Sequence, residues 1–276
     1  MKRSIVLILS FFFVAWFRFE TVKAQEFKFA FLTDMHVHSD STLSQVDRRL
    51  RSLPSQVELI LSGGDNVDID NLKTAELSHG EQRLKQLKDL FDRTKKTYHV
   101  AIGNHDRLPG NLRNGKNDFA IFEKTFGQTY YTFEHKGWKF IVLNSVETKD
   151  NHYVIGEQQL LWLQDLVKNT AKDQPLVIIS HVPFLSVYYP VLEGRYTAAD
   201  TFMNQKLVFD LFKEHSLKLV LQGHMHLYEE IKVKDVQFIT AGAVSGNWWH
   251  GNFEGTAPGH LEVDVNGKDF SWKYVK

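Results

Sequence analysis

Apolar and polar positions along the chain alternate between two periods. Phe27 to Leu32 (FKFAFL) and Val57 to Leu61 (VELIL) are short runs, alternating to continuous, that suit buried strands. Tyr98 to Ile102, Leu176 to Ile179 (LVII) and Leu217 to Leu221 have the same character. Between them lie segments of helical period. Gln45 to Leu53 is amphipathic and stops at Pro54, and Leu72 to Lys96 places Leu77, Leu84, Leu87, Leu90 and Phe91 on one face. Gln158 to Val167 and Lys206 to His215 complete the expected helices. Tyr130 to Glu134 and Trp138 to Leu143 flank a turn at Gly137 and predict a hairpin, and the chain from Ile231 onward reads as short strands. Strands alternating with helices predict an α/β fold, with the β-rich middle and tail supplying a second sheet or mixed edges.

The first residues follow another rule. Lys2 and Arg3 precede the apolar run Ile5 to Phe17, and Val22-Lys23-Ala24 offers the small residues a signal peptidase reads. Residues 1–24 are expected to be a signal peptide and 25–276 one domain, with a periplasmic or secreted destination. The apolar run is shorter than the ~20 residues needed to span a bilayer.

Composition narrows the options. The 276 residues are 43% hydrophobic and 24% charged, which is globular rather than disordered. Lys+Arg and Asp+Glu both number 33, so the basic excess of a nucleic-acid binder is missing. There is no cysteine, which removes disulfides, thiolate chemistry and a lipid-bearing residue behind the leader.

Five of the apolar strands end in clusters that can carry chemistry: Asp34/His36, Asp65, Asn104/His105, His181 and His224/His226. Ligands of open α/β sheets gather at the carboxyl ends of strands, so the five clusters are expected to meet in one crevice. Carboxylate, imidazole and amide oxygen suit Mn, Fe or Zn and not soft thiophilic metals. Singly each cluster is weak, since Gly, Asn and Asp are turn formers; their joint occurrence in this order is not. His38 extends the first cluster, with an exposed loop position the plainer expectation. Phe184 to Tyr196 and the Trp248-Trp249 pair are candidates for the pocket wall, and Arg107 for either an anionic ligand or a neighbouring acid.

The series D-x-H, G-D-x-x-D, G-N-H-D, strand-end His and G-H-x-H, from Asp34 to His226, resembles the calcineurin-like metallophosphoesterase superfamily. The resemblance implies two mixed β-sheets packed as a sandwich flanked by helices, and two divalent metal ions at one edge. It places Asp34, His36 and His226 on the first ion, Asn104, His181 and His224 on the second, and Asp65 between them. His105 matches a substrate-facing catalytic histidine, and Asp68 the aspartate that orients it. The implied reaction is hydrolysis of a small-molecule phosphate mono- or diester, with a bridging hydroxide as nucleophile. Purple acid phosphatases carry Tyr where this chain has Asp68 and Glu where it has Asp106, so an iron(III)–tyrosinate site is not expected. A non-catalytic binding or scaffold protein on the same fold is the alternative; filled ligand positions weigh against it.

Overall fold

The computed structural model describes residues 25–113 and 118–276; the expected signal peptide lies outside them. Along the chain, β1 (Phe27–Leu32), α1 (Asp40–Arg51), β2 (Val57–Ser62), α2 (Leu77–Thr94) and β3 (Thr97–Val100) form the first half-layer. Then come α3 (Ala120–Phe126), the hairpin β4 (Tyr131–His135) and β5 (Trp138–Val142), a small hairpin β6 (Glu147–Lys149) and β7 (His152–Val154), and α4 (Glu157–Lys168). Next, β8 (Leu176–Ser180), α5 (Gln205–Leu211) and β9 (Leu217–Gln222) are followed by β10 (Glu229–Val233), β11 (Val236–Thr240), β12 (His260–Asn266) and β13 (Asp269–Val275).

Two mixed sheets result, in the orders β13-β12-β1-β2-β3 and β10-β11-β9-β8-β5-β4. β1, β2 and β3 run parallel in one, and β5, β8, β9 and β11 run parallel in the other. The strand period explains why they form a sandwich. Alternate side chains point to opposite faces, so Phe29, Phe31, Leu59, Leu61, Val177, Ile179, Leu219 and Leu221 meet Phe140 and Val263 in one buried cluster between the sheets. Their sequence neighbours Ala30, Leu32, Ile60, Ile178 and Val220 share a second cluster with Val46, Leu50, Leu84, Leu87, Phe91, Leu163 and Val208 of the helices. Strands apolar on both faces thus fill both the inter-sheet core and the helix layers. Among the described residues no helix is long and apolar enough to cross a membrane.

Two helices begin elsewhere than their periodicity suggests. α1 starts at Asp40 rather than Gln45, because Ser39 caps it: its side chain accepts from the Thr42 amide at 3.2 Å while Thr42 Oγ1 accepts from the Ser39 amide. That first turn is polar and invisible to an apolar count. α2 starts at Leu77, after a 3₁₀ turn at Thr74–Glu76, and ends where Lys95 turns left-handed (φ 56°). The seven-residue α3 and the three-residue strands β6 and β7 are too short to leave a periodic signal.

Candidate metal centre

All five strand-end clusters converge at the carboxyl edge of the two sheets. Backbone bonds lace the loops together: Asp34 N donates to Gly64 O and His36 N to Asp65 O, both at 3.0 Å, and Ile69 N donates to His105 O at 2.8 Å. On the other sheet Gly223 N donates to His181 O at 3.1 Å. The turns are sharp. Asp34 (φ 54°), His36 (44°), Asp65 (49°), His224 (72°) and His226 (55°) all take the left-handed conformation. Each such residue costs on the order of 1–2 kcal/mol. Strain of this kind, concentrated in five polar residues at one point, marks a functional site rather than a folding element.

Close approach of β2 and β3 shapes the centre. A Cβ on Gly103 would lie 2.0 Å from the Asp65 amide nitrogen and 2.1 Å from Asp65 Oδ1, so only glycine fits there. Asp65 Oδ1 accepts from the His105 amide at 2.8 Å, which turns Oδ2 into the crevice. Oδ2 is 3.1 Å from His181 Nε2, 3.7 Å from His36 Nε2 and 3.9 Å from His105 Nε2. Beneath, the buried Asp106 accepts from the amides of Gly103, Asn66 and Val67 and from Asn66 Nδ2. Burial and the nearby Asp65 push its carboxyl up to about 7, against those donors.

The hydrogen bonds fix the tautomers. His36 Nδ1 lies 2.6 Å from Asp68 Oδ1, His181 Nδ1 2.9 Å from Gly63 O and His226 Nδ1 2.5 Å from Gly246 O. These oxygens only accept, so each Nδ1 carries the proton and each Nε2, in a neutral ring, presents a lone pair. His36 Nε2 and His226 Nε2 then face one another at 3.1 Å, a repulsive contact unless a cation or an added proton lies at the pair. His224 is oriented oppositely: Nε2 donates to Asp200 Oδ1 at 3.3 Å, leaving Nδ1 for the crevice. Three sets of ligand atoms each lie within 4.8 Å of one another: Asp34/His36/His226, His36/Asp65/His105 and Asp65/His181/His224. Asn104 Oδ1 joins the last, 3.1 Å from His181 Nε2. Asp65 is thus shared between two imidazole groups, and the donor set fits two borderline divalent cations.

Without a cation, charge is balanced by protons. Burial raises the Asp34 carboxyl, but the hydrogen bond and charge of His226 outweigh it and hold it at about 2. Burial opposes charge on His181 and His105, yet Asp65 acts on both and Asp70 on His105, so they are raised to about 9 and about 10.

The role expected for Asp68 is corrected here. Asp68 binds His36, a ligand candidate; the partner of His105 is Asp70, whose Oδ1 lies 2.8 Å from His105 Nδ1. The backbone bonds from Ile69 N and Asp70 N to His105 O draw residue 70, not 68, alongside that ring. Asp70 could have been suspected from the alternation Asp68-Ile69-Asp70; Asp200, remote in sequence and outside any motif, could not. His38 stays outside the cluster, bonding to His36 O, and Arg107 is buried against Asp118 at 2.7 Å and Val146 O at 2.6 Å.

Both tryptophans reach the site. Trp248 stacks on His226 with ring centroids 4.2 Å apart, while Trp249 Nε1 donates to His36 O at 3.1 Å. With Tyr188, Tyr189 and Phe253, Trp248 walls a cavity of about 200 Å³ over Asp65, His105, His224 and His226.

The calcineurin-like phosphoesterase family model matches residues 27–228, most of the chain and all of the clustered Asp, Asn and His side chains, though not Trp248, Trp249 or Phe253. The chain belongs to that family. Its fold is shared by a dimetal phosphatase from Danio rerio (TM-score 0.61, 14% identity, 90% of this chain and 96% of that one). Purple acid phosphatase PPD1 from yellow lupin aligns with TM-score 0.63 and 13% identity over 92% of this chain and 52% of that one. GAP50, the anchor in the inner membrane complex of Plasmodium, aligns with TM-score 0.59 and 16% identity over 91% and 85%. In sequence, Purple acid phosphatase 13 of Arabidopsis thaliana is 29% identical over 106 residues, 38% of this chain and 18% of that relative's length. Phosphoesterases of this family typically use a dinuclear metal centre.

Proposed function

We propose that this protein hydrolyses phosphate mono- or diesters with the help of two divalent metal ions. The observation that supports the reading is the position of Asp65 Oδ2 between two imidazole groups whose outer nitrogens are all turned away by acceptors. Asp34, His36 and His226 would hold one ion, Asn104, His181 and His224 the other, with Asp65 common to both. Two such ions supply charge for the phosphoryl oxygens and acidify a water at neutral pH. The chain's own groups do the rest. Asp68 fixes His36 in its ligating tautomer, as Asp200 does for His224. His105, 23% exposed and held by Asp70, faces the cavity, where its Nε2–H can donate to a phosphoryl oxygen or to the departing alkoxide. Trp248, Tyr188 and Phe253 form an aromatic wall of the cavity over the centre.

A purely structural or anchoring use of the fold would not require His105 and Asp70 at the mouth of the cavity. The signal peptide expected at residues 1–24 is the support for a periplasmic or secreted site of action. The test is turnover of p-nitrophenyl phosphate and bis-p-nitrophenyl phosphate by protein starting at Gln25, with Mn²⁺, Zn²⁺ or a chelator. Metal-dependent hydrolysis that disappears in Asp65→Ala supports the reading. Metal-loaded, folded protein that turns over neither these esters nor a broad panel of natural ones would sink it.

A further inference from the structure

A second cavity, of about 550 Å³, opens beside the metal centre and falls within the range of small-molecule sites. It meets the centre at Asn104 and Asp200, which lines both cavities. The ring of Tyr153, on its wall, packs edge-on against His224 with centroids 5.7 Å apart. A group bound there is one aromatic ring away from the proposed ligands.

Two carboxylates, Asp70 and Asp200, and two guanidiniums, Arg107 and Arg113, line this cavity, but they do not pair with one another. Its acids are committed: Asp70 to His105, and Asp200 to His224 and the Tyr189 hydroxyl. Arg107 is neutralised by Asp118. Arg113 differs. Its Nε donates to Leu108 O at 2.6 Å, but its guanidinium forms no ion pair among the described residues. Burial, followed by the like charge of Arg107, lowers its pKa, against the more distant charges of Asp118 and Asp70. The neighbouring sequence Asn114-Gly115-Lys116-Asn117 contains no carboxylate. The Tyr153 hydroxyl, on the wall of the same cavity, also bonds to none of the described residues. The cavity therefore offers a half-buried cation and an O–H donor, neither bonded to a side chain among the described residues, in a space that Asn104 and Asp200 connect to the centre. A planar guanidinium with free terminal nitrogens suits a carboxylate or phosphate.

We propose that this cavity is the leaving-group subsite, and that Arg113 and the Tyr153 hydroxyl bind a second anionic group carried by the alcohol of the substrate. The substrate class is an organic phosphate ester whose alcohol bears its own phosphate or carboxylate. This deepens the phosphoesterase reading and rests on it.

The test compares phenyl phosphate with 3-carboxyphenyl phosphate and 1,3-phenylene bisphosphate, using metal-loaded protein from Gln25 and the variants Arg113→Gln and Arg113→Lys. The readout is the ratio of kcat/KM for the charged ester to that for the neutral one, so a general loss of activity in a variant cancels. Wild type is expected to prefer at least one charged ester by about tenfold or more. The ratio should collapse towards one in Arg113→Gln and be largely retained in Arg113→Lys, and the preferred ester identifies the second group. A wild-type ratio near one for both charged esters, or a preference undiminished in Arg113→Gln, overturns the proposal. If wild type hydrolyses none of the three, the failure belongs to the catalytic reading. The subsite is then judged by thermal shift with 1,3-phenylene bisphosphate: stabilisation of wild type but not of Arg113→Gln supports it, and no stabilisation of wild type overturns it.

Discussion

Two aspartates separated by one residue are assigned different tasks, and exchanging each for asparagine should separate metal binding from turnover. Asp68 accepts from His36 Nδ1 at 2.6 Å and Asp70 from His105 Nδ1 at 2.8 Å. Their side chains are similarly accessible, 18% and 20%, so solvent screening and folding effects should be alike. A hydrogen bond to a charged group contributes about 1.5–3 kcal/mol. An asparagine amide can also rotate to donate, which would move the His36 proton to Nε2 and block its lone pair. At about 1.4 kcal/mol per tenfold, Asp68→Asn should weaken the more labile metal by roughly 10–100-fold, in line with the usual effect of losing a ligand's outer partner. Asp70→Asn should leave that affinity within about threefold, because His105 is assigned no metal. Its kcat at saturating metal should instead fall by tenfold or more, up to the roughly 10²–10⁴ that a general acid or base supplies. Competition with a fluorescent chelator gives the affinities, and turnover at saturating Mn²⁺ gives kcat. Metal affinity lost in Asp70→Asn and retained in Asp68→Asn would refute the assignment.

Further outcomes follow from the same geometry. Gly103→Ala should abolish metal binding or folding, since its Cβ would stand 2.0 Å from the Asp65 amide; a variant with normal metal content and melting temperature would contradict the packing. Metal affinity should rise with pH. His181 is raised to about 9 and must lose its proton to ligate, so log K should climb about one unit per pH unit for that proton between pH 6.5 and 9. A flat profile would exclude this displacement. In the metal-free protein the raised His181 contributes stability that is full below its unfolded value near 6.5 and is lost as pH rises through about 9. Its melting temperature should therefore fall over that interval and be restored by metal.

Much of this was legible in the sequence, for identifiable reasons. The strands bearing Asp34, Asp65, His181 and His224 are largely apolar on both faces, and these and the shorter, more polar β3 before Asn104 each deliver a polar cluster at the carboxyl end, where parallel strands share an edge. Whatever depends on short or remote contacts was hidden. The start of α1 depends on Ser39 and Thr42, and the three-residue strands β6 and β7 are shorter than one period of any pattern. The exchange of Asp68 for Asp70 beside His105 is set by the turn after Asp65, where Ile69 N and Asp70 N bond to His105 O. Motif spacing does not encode that turn. Asp200 reaches His224 from a loop 24 residues earlier in the chain, and nothing local marks it. Two-sheet packing required the interleaving of Phe29, Phe31, Phe140 and Val263, residues far apart in sequence.

The most direct test of the central claim is anomalous diffraction from crystals of the protein grown with Mn²⁺. The account predicts two peaks ~3.5–4 Å apart, with Asp65 Oδ2 between them, His36 and His226 on one side and His181 and His224 on the other. A single peak, or two peaks that do not share Asp65, would contradict it.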